Sequence, residues 1–149
     1  MKYIVLSQGK EAIVDDEDYD LISSHKWSFD GNYAIRMVRL DGKQRCVLMH
    51  RVLNNTPKGK HTDHINGDKL DNRRENLRVC TSSQNHMNKI SKRGTSKYKG
   101  VYKEKRRKGW IVRIKRIYIG EFSCEIEAAK AYNEAAIREF GEFARLNVI

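Results

Sequence analysis

Four polar residues in the middle of the chain have the types and the spacing that metal-assisted hydrolysis requires. Asp63 and His64 are adjacent, and Asn76 follows after eleven intervening residues. Asn85 comes after eight more. A histidine can act as a general base near neutral pH, and carboxylate and amide oxygens are hard ligands suited to Mg²⁺ or Mn²⁺. Each residue is ordinary by itself, since Asp-His pairs and Asn-rich turns are common, but together they predict a site for phosphodiester hydrolysis.

The elements predicted around these residues can bring them to one site. Asp63-His64 ends a predicted strand, and a loop of turn-forming residues leads to a second strand from Asn76 to Cys80. Thr81-Ser-Ser-Gln84 has capping-box spacing. It predicts a helix that runs towards Lys89 and carries Asn85 in its first turns. The sequence therefore predicts a strand–loop–strand–helix unit.

The N-terminal part is predicted to be rich in short strands, because β-branched and aromatic residues recur between turn formers. Asp41-Gly42 lies between two alternating runs and predicts a hairpin. A short helix is predicted from Asp16 to His25, since its leading acids favour the positive end of a helix dipole. A calcium loop is the alternative for these acids, but the required Gly and Glu spacing is missing. The predicted strands are Tyr3–Leu6, Glu11–Val14, Tyr33–Arg39 and Arg45–His50.

The C-terminal part is predicted to be a three-stranded sheet followed by one helix. Ser123 can cap this helix, which is predicted to run from Cys124 to Phe140 and to stop at Gly141. A small, polar and basic segment at residues 91 to 96 predicts a linker before the sheet. The predicted strands are Tyr98–Tyr102, Trp110–Lys115 and Arg116–Phe122. An apolar stripe at helical spacing is expected to face the sheet: Ile126, Ala129, Tyr132, Ala136 and Phe140, with Ala128 and Ala135 beside it.

The positive charge is concentrated near this C-terminal sheet. The 149 residues carry a net charge of +11, and residues 92 to 116 hold 12 basic side chains and one acid. Such a cluster is typical of a protein that binds a polyanion. One alternative is a solvated basic face, which would have little reason to alternate with aromatic residues. The other is an anionic membrane surface, which calls for a basic amphipathic helix rather than strands.

Length and composition exclude several classes of protein. A chain of 149 residues holds one ordinary domain or two small ones. No apolar run approaches the ~18 residues that span a bilayer, so we expect a soluble cytoplasmic protein with no membrane partner. Three cysteines, Cys46, Cys80 and Cys124, are too far apart for a disulfide framework or a zinc knuckle. We expect them to fill the core.

The segment from His61 to Val79, followed by Gln84-Asn85, resembles the ββα-metal site of phage-type HNH endonucleases, which cut or nick DNA. The resemblance implies that His64 is the general base and that Asn76 braces the loop that holds it. It also implies one divalent cation, Mg²⁺ or Mn²⁺, on Asp63 and Asn85.

Three further histidines are candidate metal ligands. The broader HNH pattern has a second metal-binding histidine where this chain has Asn85, so the neighbouring His86 is the alternative ligand. His50 is expected to pack or to contact a phosphate, and His61 is expected at the surface, because neither has a further partner at ligand spacing.

The last third of the chain, residues 96 to 149, resembles the Apetala/ethylene-response-factor type of DNA-binding domain. The resemblance rests on Tyr98-Lys-Gly100-Val101, Trp110-Ile-Val-Arg113-Ile, Tyr118-Ile-Gly120-Glu-Phe122 and Gly141-Glu-Phe-Ala144-Arg-Leu146-Asn147. It implies a sheet in the major groove of DNA. The chain lacks the usual Asn-Gly-type turn at Lys115-Arg116, which predicts shortened strands or an atypical tight turn there. The implied DNA-binding residues are Lys99, Tyr102, Lys105, Arg113, Lys115, Arg116 and Tyr118.

We therefore predict an α+β protein: N-terminal strands running into a ββα-metal core (1–90, core about 48–90), a linker (91–96), and a three-stranded antiparallel sheet on one helix (97–149). The predicted function is site-specific, metal-dependent hydrolysis of double-stranded DNA, with a nick by a monomer as the simplest outcome. The alternatives are a non-catalytic DNA-binding regulator with a decayed nuclease region and, less favoured, a binder of structured RNA.

Overall fold

A computed structural model describes residues 1 to 89 and 94 to 149. The chain divides into two compact units, Met1–Asn85 and His86–Ile149. Helices and strands are mixed in both, which confirms the α+β class. The linker predicted at residues 91 to 96 lies partly outside the described residues, so its limits stay a prediction.

The N-terminal unit begins with an antiparallel pair of strands, β1 (Lys2–Val5) and β2 (Glu11–Val14). The helix predicted from Asp16 to His25 is shorter: a 3₁₀ turn (Asp16–Asp18) leads into α1 (Tyr19–Ser23). The role of Asp18 differs from the helix-dipole interaction that we expected for these acids. Asp18 accepts hydrogen bonds from the guanidinium of Arg74 at 2.6 and 2.8 Å, so it pairs with a distant loop instead of a helix dipole.

A second sheet follows, with strand order β3 (Ser28–Phe29), β4 (Ala34–Leu40), β5 (Lys43–Leu48). The predicted hairpin at Asp41-Gly42 is confirmed, because Leu40 pairs with Lys43 and both turn residues have positive φ, +50° and +73°. The prediction that this strand reaches His50 is wrong, because β5 ends at Leu48. Met49–Leu53 form helix α2, since Met49 and Leu53, one helical turn apart, are 0% and 1% exposed and pack in the core.

The predicted strand–loop–strand–helix unit is present. Strand β6 (His61–His64) pairs antiparallel with β7 (Leu77–Cys80), and α3 (Ser82–Asn88) begins one residue later. Asn76 ends a 3₁₀ turn (Arg74–Asn76) instead of opening β7. The capping box is confirmed, because Thr81 and Gln84 exchange hydrogen bonds at 2.8 and 3.2 Å.

The core of the N-terminal unit joins β1, β2, α1, β4, α2 and β7. It is built from Ile4, Leu6, Ala12, Val14, Ile22, Trp27, Ala34, Met49, Leu53 and Leu77. A parallel bridge between Ile13 and Asp71 also attaches β2 to the loop between β6 and β7. The N-terminal strands therefore brace this loop directly.

The C-terminal unit is an antiparallel sheet packed on one long helix. The strand order is β10 (Ile117–Phe122), β9 (Trp110–Ile114), β8 (Val101–Tyr102), and the helix is α4 (Glu125–Phe140). Lys115 has φ of +54° and Ile114 pairs with Ile117, so the predicted tight turn is confirmed.

Two expectations about the start of the C-terminal sheet and of its helix need correction. The strand predicted from Tyr98 shrinks to two residues, because Lys99 bonds to Asn147 and Gly100 has φ of +75°. Cys124, not Ser123, is the helix N-cap, and it makes no side-chain capping bond.

Ile126 does not belong to the buried stripe of α4. It is 47% exposed, since it lies roughly a third of a turn from the centre of the buried arc. That arc consists of Ala128, Ala129, Tyr132, Ala135 and Ala136. All three cysteines of the chain are free thiols, but only Cys80 is buried, so Cys46 and Cys124 do not fill the core.

Candidate active site

His64 is the last residue of β6, and it is buried. Its exposed fraction is 5%, and Nε2 lies 3.3 Å from Oδ1 of Asn72. Burial holds the pKa of His64 below its ordinary value of 6.5, although the contact with Asn72 and nearby acids oppose the shift. At neutral pH the imidazole is therefore uncharged. This is the protonation state that a general base needs.

Asn76 closes the loop that separates His64 from β7. Its Oδ1 accepts from the amide of Asn66 at 2.9 Å, and its Nδ2 donates to the carbonyl of Asp71 at 2.8 Å. The amide of Ile65 also donates to the carbonyl of Asn76 at 2.9 Å. One side chain thus ties the residues that follow β6 to those that precede β7.

The same loop carries a second set of side-chain bonds. Asp71 is 3% exposed. Its carboxylate accepts hydrogen bonds from the Arg73 guanidinium at 2.7 and 2.8 Å and from the Asn66 side-chain amide at 2.9 Å. The Arg73 hydrogen bonds, followed by backbone and Asn66 contacts, hold the pKa of Asp71 below 3.8 against the opposing effect of burial. These bonds connect three side chains of the loop to one another.

Asp63 lies beside His64 and is paired with Arg78 across the β6–β7 ladder. Nε and Nη2 of Arg78 donate to Oδ2 of Asp63 at 2.9 and 2.7 Å. Both side chains are largely buried, at 13% and 6% exposure for Arg78 and Asp63. The ion pair compensates the buried carboxylate, since an unpaired charge there would be costly.

Asn85 lies on α3, half-buried, and its backbone amide donates to the carbonyl of Thr81 at 3.0 Å. Only Thr81 separates this helix from β7. The structure thus places Asp63, His64 and Asn76 around one strand pair and Asn85 on the next element. Among residues 1–89 and 94–149, no three His, Cys, Asp or Glu side chains form a metal-binding group. A cation on Asp63 and Asn85 would need water and phosphate oxygens to complete its shell, which is how Mg²⁺ is commonly bound.

Two side chains surround the His64 ring, and sequence reasoning missed one of them, Tyr33. His50 lies edge-on to His64 with ring centroids 5.0 Å apart, and Tyr33 is 5.0 Å from His50 and 6.2 Å from His64. Burial, followed by the charges of His64 and Arg51, lowers the pKa of His50 to about 3. His50 therefore packs as a neutral ring. No local pattern marks Tyr33, because only the fold of β3–β5 brings it to the site. His61 is at the surface, as expected.

The C-terminal sheet packs one face against α4, and its other face carries exposed polar and aromatic side chains. Val112 and Ile114 pack on the helix, so Arg113 between them points away from it. Tyr118 lies directly opposite Arg113 in the ladder, and both are exposed. This pair is the centre of the solvent-facing surface.

The other predicted DNA-binding residues differ in availability. Lys105 and Arg116 are exposed, and Tyr102 is half-buried. Lys115 is turned towards the helix, with its ammonium 5.0 Å from the ring centroid of Phe140. Lys99 is half-buried, its ammonium donates to the carbonyl of Met87, and burial followed by the charge of Arg145 lowers its pKa to about 8. Lys99 and Lys115 are thus less available to a phosphate than Arg113.

Comparison with known proteins identifies the family. A family model described as HNH endonuclease matches residues 54 to 87. An uncharacterized HNH endonuclease of Acanthamoeba polyphaga mimivirus is 31% identical over 157 residues, covering 99% of this chain and 81% of its own length. The chain belongs to the HNH endonuclease family and is a nuclease.

The C-terminal unit has a partial similarity of its own. APETALA2-like protein 2 of Oryza sativa, in the subspecies indica and japonica, is 45% identical over 60 residues, which are 37% of this chain and 14% of the rice protein. No solved structure is significantly similar to the chain. Among the described residues, no helix is both long and apolar enough to cross a membrane.

Proposed function

We propose that the chain is a metal-dependent, site-specific DNA endonuclease in which the N-terminal unit cuts and the C-terminal sheet holds the DNA. The observation that carries this proposal is the neutral, buried His64, fixed beside Asp63 within the segment that matches the HNH family. A base of this kind takes a proton from a water molecule near neutral pH.

In the proposed mechanism, His64 deprotonates the water that attacks the scissile phosphorus. The bond to the 3′ oxygen breaks, so the products carry a 5′ phosphate and a 3′ hydroxyl. Asn76 keeps the loop closed and thereby holds His64 in place. HNH nucleases generally use a divalent metal, and a cation on Asp63 and Asn85 would supply positive charge near the leaving oxygen.

Arg78 affects how Asp63 takes a cation. Because Arg78 donates twice to one carboxylate oxygen, a divalent cation competes with a guanidinium for this side chain. We propose Mn²⁺ titration of the full chain as the test of the ligands. Asp63→Asn and Asn85→Ala should each weaken Mn²⁺ binding, and His86→Ala is the matched control. If His86→Ala weakens binding and Asn85→Ala does not, the second ligand is His86.

The anchoring role rests on the exposed Arg113–Tyr118 pair, on the basic charge around it and on the partial similarity to the rice proteins. Arginine and aromatic side chains on an open sheet face can contact phosphates and bases. Anchoring raises the effective concentration of the nuclease at its target. With one proposed active site per chain, the expected product is a nick made by a monomer.

The overall proposal is tested with a pool of supercoiled plasmids that carry fragments of the genome encoding the chain. With Mg²⁺ or Mn²⁺ we expect open circles cut at one mapped position, and with EDTA we expect binding without cutting. Binding without cutting in all metals would contradict the nuclease mechanism and indicate a regulator. Tighter binding to folded RNA than to duplex DNA would contradict the proposed substrate.

A further inference from the structure

Asn72 is the most buried polar residue near the proposed base, and it has no assigned role. Its exposed fraction is 1%. Its backbone is clamped to strand β2: the amide of Asn72 donates to the carbonyl of Ile13, and the amide of Ile13 donates to the carbonyl of Leu70, both at 2.8 Å. The position of Asn72 is therefore set by the N-terminal hairpin, which lies outside the segment matched by the HNH family model.

The orientation of the Asn72 amide is also determined. Nδ2 donates to the carbonyl of Leu70 at 3.1 Å, and a carbonyl oxygen can only accept. In the flipped orientation two acceptor oxygens would face each other in a buried place, which is unfavourable. Oδ1 of Asn72 must then face Nε2 of His64, 3.3 Å away.

This orientation has a consequence for the base. Because Oδ1 can only accept, the neutral His64 must carry its proton on Nε2, and the lone pair that takes a proton from water is on Nδ1. We infer that Asn72 is a positioning residue that fixes the Nε2–H tautomer of His64, and that the β1–β2 hairpin is a part of the active site through it. The inference rests on the proposed role of His64 as the base.

The direct test is a long-range ¹⁵N–¹H correlation spectrum of the histidine side chains in the full-length protein at pH 8.5, where imidazoles are neutral. The His64 signals are identified among those of the five histidines because they are absent from the spectrum of His64→Gln. We expect the Nε2–H pattern for His64. An Nδ1–H pattern, or a mixture like that of free imidazole, would overturn the inference. It would leave the nuclease proposal untouched, because this readout does not depend on cutting.

A variant tests whether the tautomer matters for catalysis. Asn72→Leu is close in size and removes both side-chain bonds. We expect a mixed tautomer at His64 and a single-turnover cleavage rate lower by roughly 10- to 100-fold, as for lost partners of catalytic groups, with unchanged DNA affinity. Asn54→Leu is the matched control, since Asn54 Nδ2 is buried without a hydrogen-bond partner in the described part of the chain. It should change neither readout.

A second variant separates the hydrogen bond from general packing. Asn72→Asp keeps an acceptor oxygen towards His64 and loses the donor to Leu70. At pH 8.5 it should retain the Nε2–H pattern and cut faster than Asn72→Leu. Equal rates for Asn72→Leu and wild type, or an Asn72→Asp variant that is no faster than Asn72→Leu while both are folded, would overturn the inference.

Discussion

The two units carry their functional side chains in opposite environments. In the N-terminal unit His64, Asp63 and Asn76 are buried, and Oδ2 of Asp63 and both polar side-chain atoms of Asn76 are hydrogen-bonded within the unit. In the C-terminal unit Arg113 and Tyr118 on the sheet and Arg116 in the turn between β9 and β10 are exposed. A base must be neutral and fixed, whereas a phosphate contact must stay charged and reachable.

The charge of the chain follows the same division. Residues 1 to 49 carry a net charge of −1, and residues 91 to 149 carry +8. Several arginines of the N-terminal unit form ion pairs within that unit: Arg78–Asp63, Arg73–Asp71 and Arg74–Asp18. Several arginines are therefore paired within the N-terminal unit, whereas Arg113 and Arg116 of the C-terminal unit are exposed.

Removing the base should give the largest effect of any single change. We expect His64→Ala to lower the single-turnover cleavage rate by roughly 10²- to 10⁴-fold, the usual contribution of a general base, with unchanged DNA affinity. His61→Ala removes an exposed histidine from the same strand and should cut like wild type. Equal rates for both variants would show that the buried histidine is not the base.

Filling Gly100 should damage only the C-terminal unit. An added Cβ would lie 2.1 Å from the Tyr132 ring, and φ is +75°. We expect Gly100→Ala to destabilise this unit by on the order of 3 kcal/mol, measured by denaturant unfolding. Gly141→Ala is the control, since it has positive φ but open space around it. A similar loss for both variants would mean that backbone strain, not the Tyr132 contact, sets the cost.

Acid should destabilise the N-terminal unit through its buried histidines. Burial depresses the pKa of His64, and that of His50 to about 3. Between pH 6.5 and about 3 the unfolded chain therefore binds more protons than the folded one, so the free energy of unfolding falls as pH falls. The limiting slope is about 1.4 kcal/mol per pH unit for each histidine.

A ring-preserving variant isolates the His50 contribution to this slope. His50→Phe should flatten the pH dependence of unfolding between pH 6 and 4, and the exposed His61→Phe should leave it as it is. An unchanged slope in His50→Phe would mean that His50 is not held neutral.

The smallest effects are expected for single cations of the C-terminal sheet. Arg113→Ala should weaken DNA binding by about 1 to 3 kcal/mol and reduce the salt slope by about 1. Lys115→Ala should weaken it less, because its ammonium lies over Phe140. Lys130→Ala, which removes an exposed cation of α4, is the control. An order of effects with Lys115 above Arg113 would contradict the assigned DNA-facing surface.

The fold was predictable where local rules determine it. The Asp41-Gly42 turn, the Thr81–Gln84 capping box and the Gly141 helix stop are each set by neighbouring residues, and each is confirmed. Errors arose where tertiary contacts win over local preference. Met49 and His50 leave a predicted strand because Met49 and Leu53 bury together.

The same distinction applies to the site. Asp63, His64, Asn76 and Asn85 are predicted from residue type and spacing within one continuous segment, and their roles stay a prediction. Tyr33 and Asn72 were missed, and the contact of His50 with His64 was not predicted, because these contacts depend on where β2, β4 and α2 lie against β6 and the loop after it. No local pattern encodes such contacts.

The most direct test of separate cutting and holding is a paired measurement on His64→Ala and on the double variant Arg113→Ala/Tyr118→Ala. The dissociation constant for target DNA and the single-turnover cleavage rate at saturating protein are measured for both. We predict that His64→Ala loses rate and keeps affinity, and that the double variant loses affinity and keeps rate. Loss of both quantities in parallel in either variant would contradict the account.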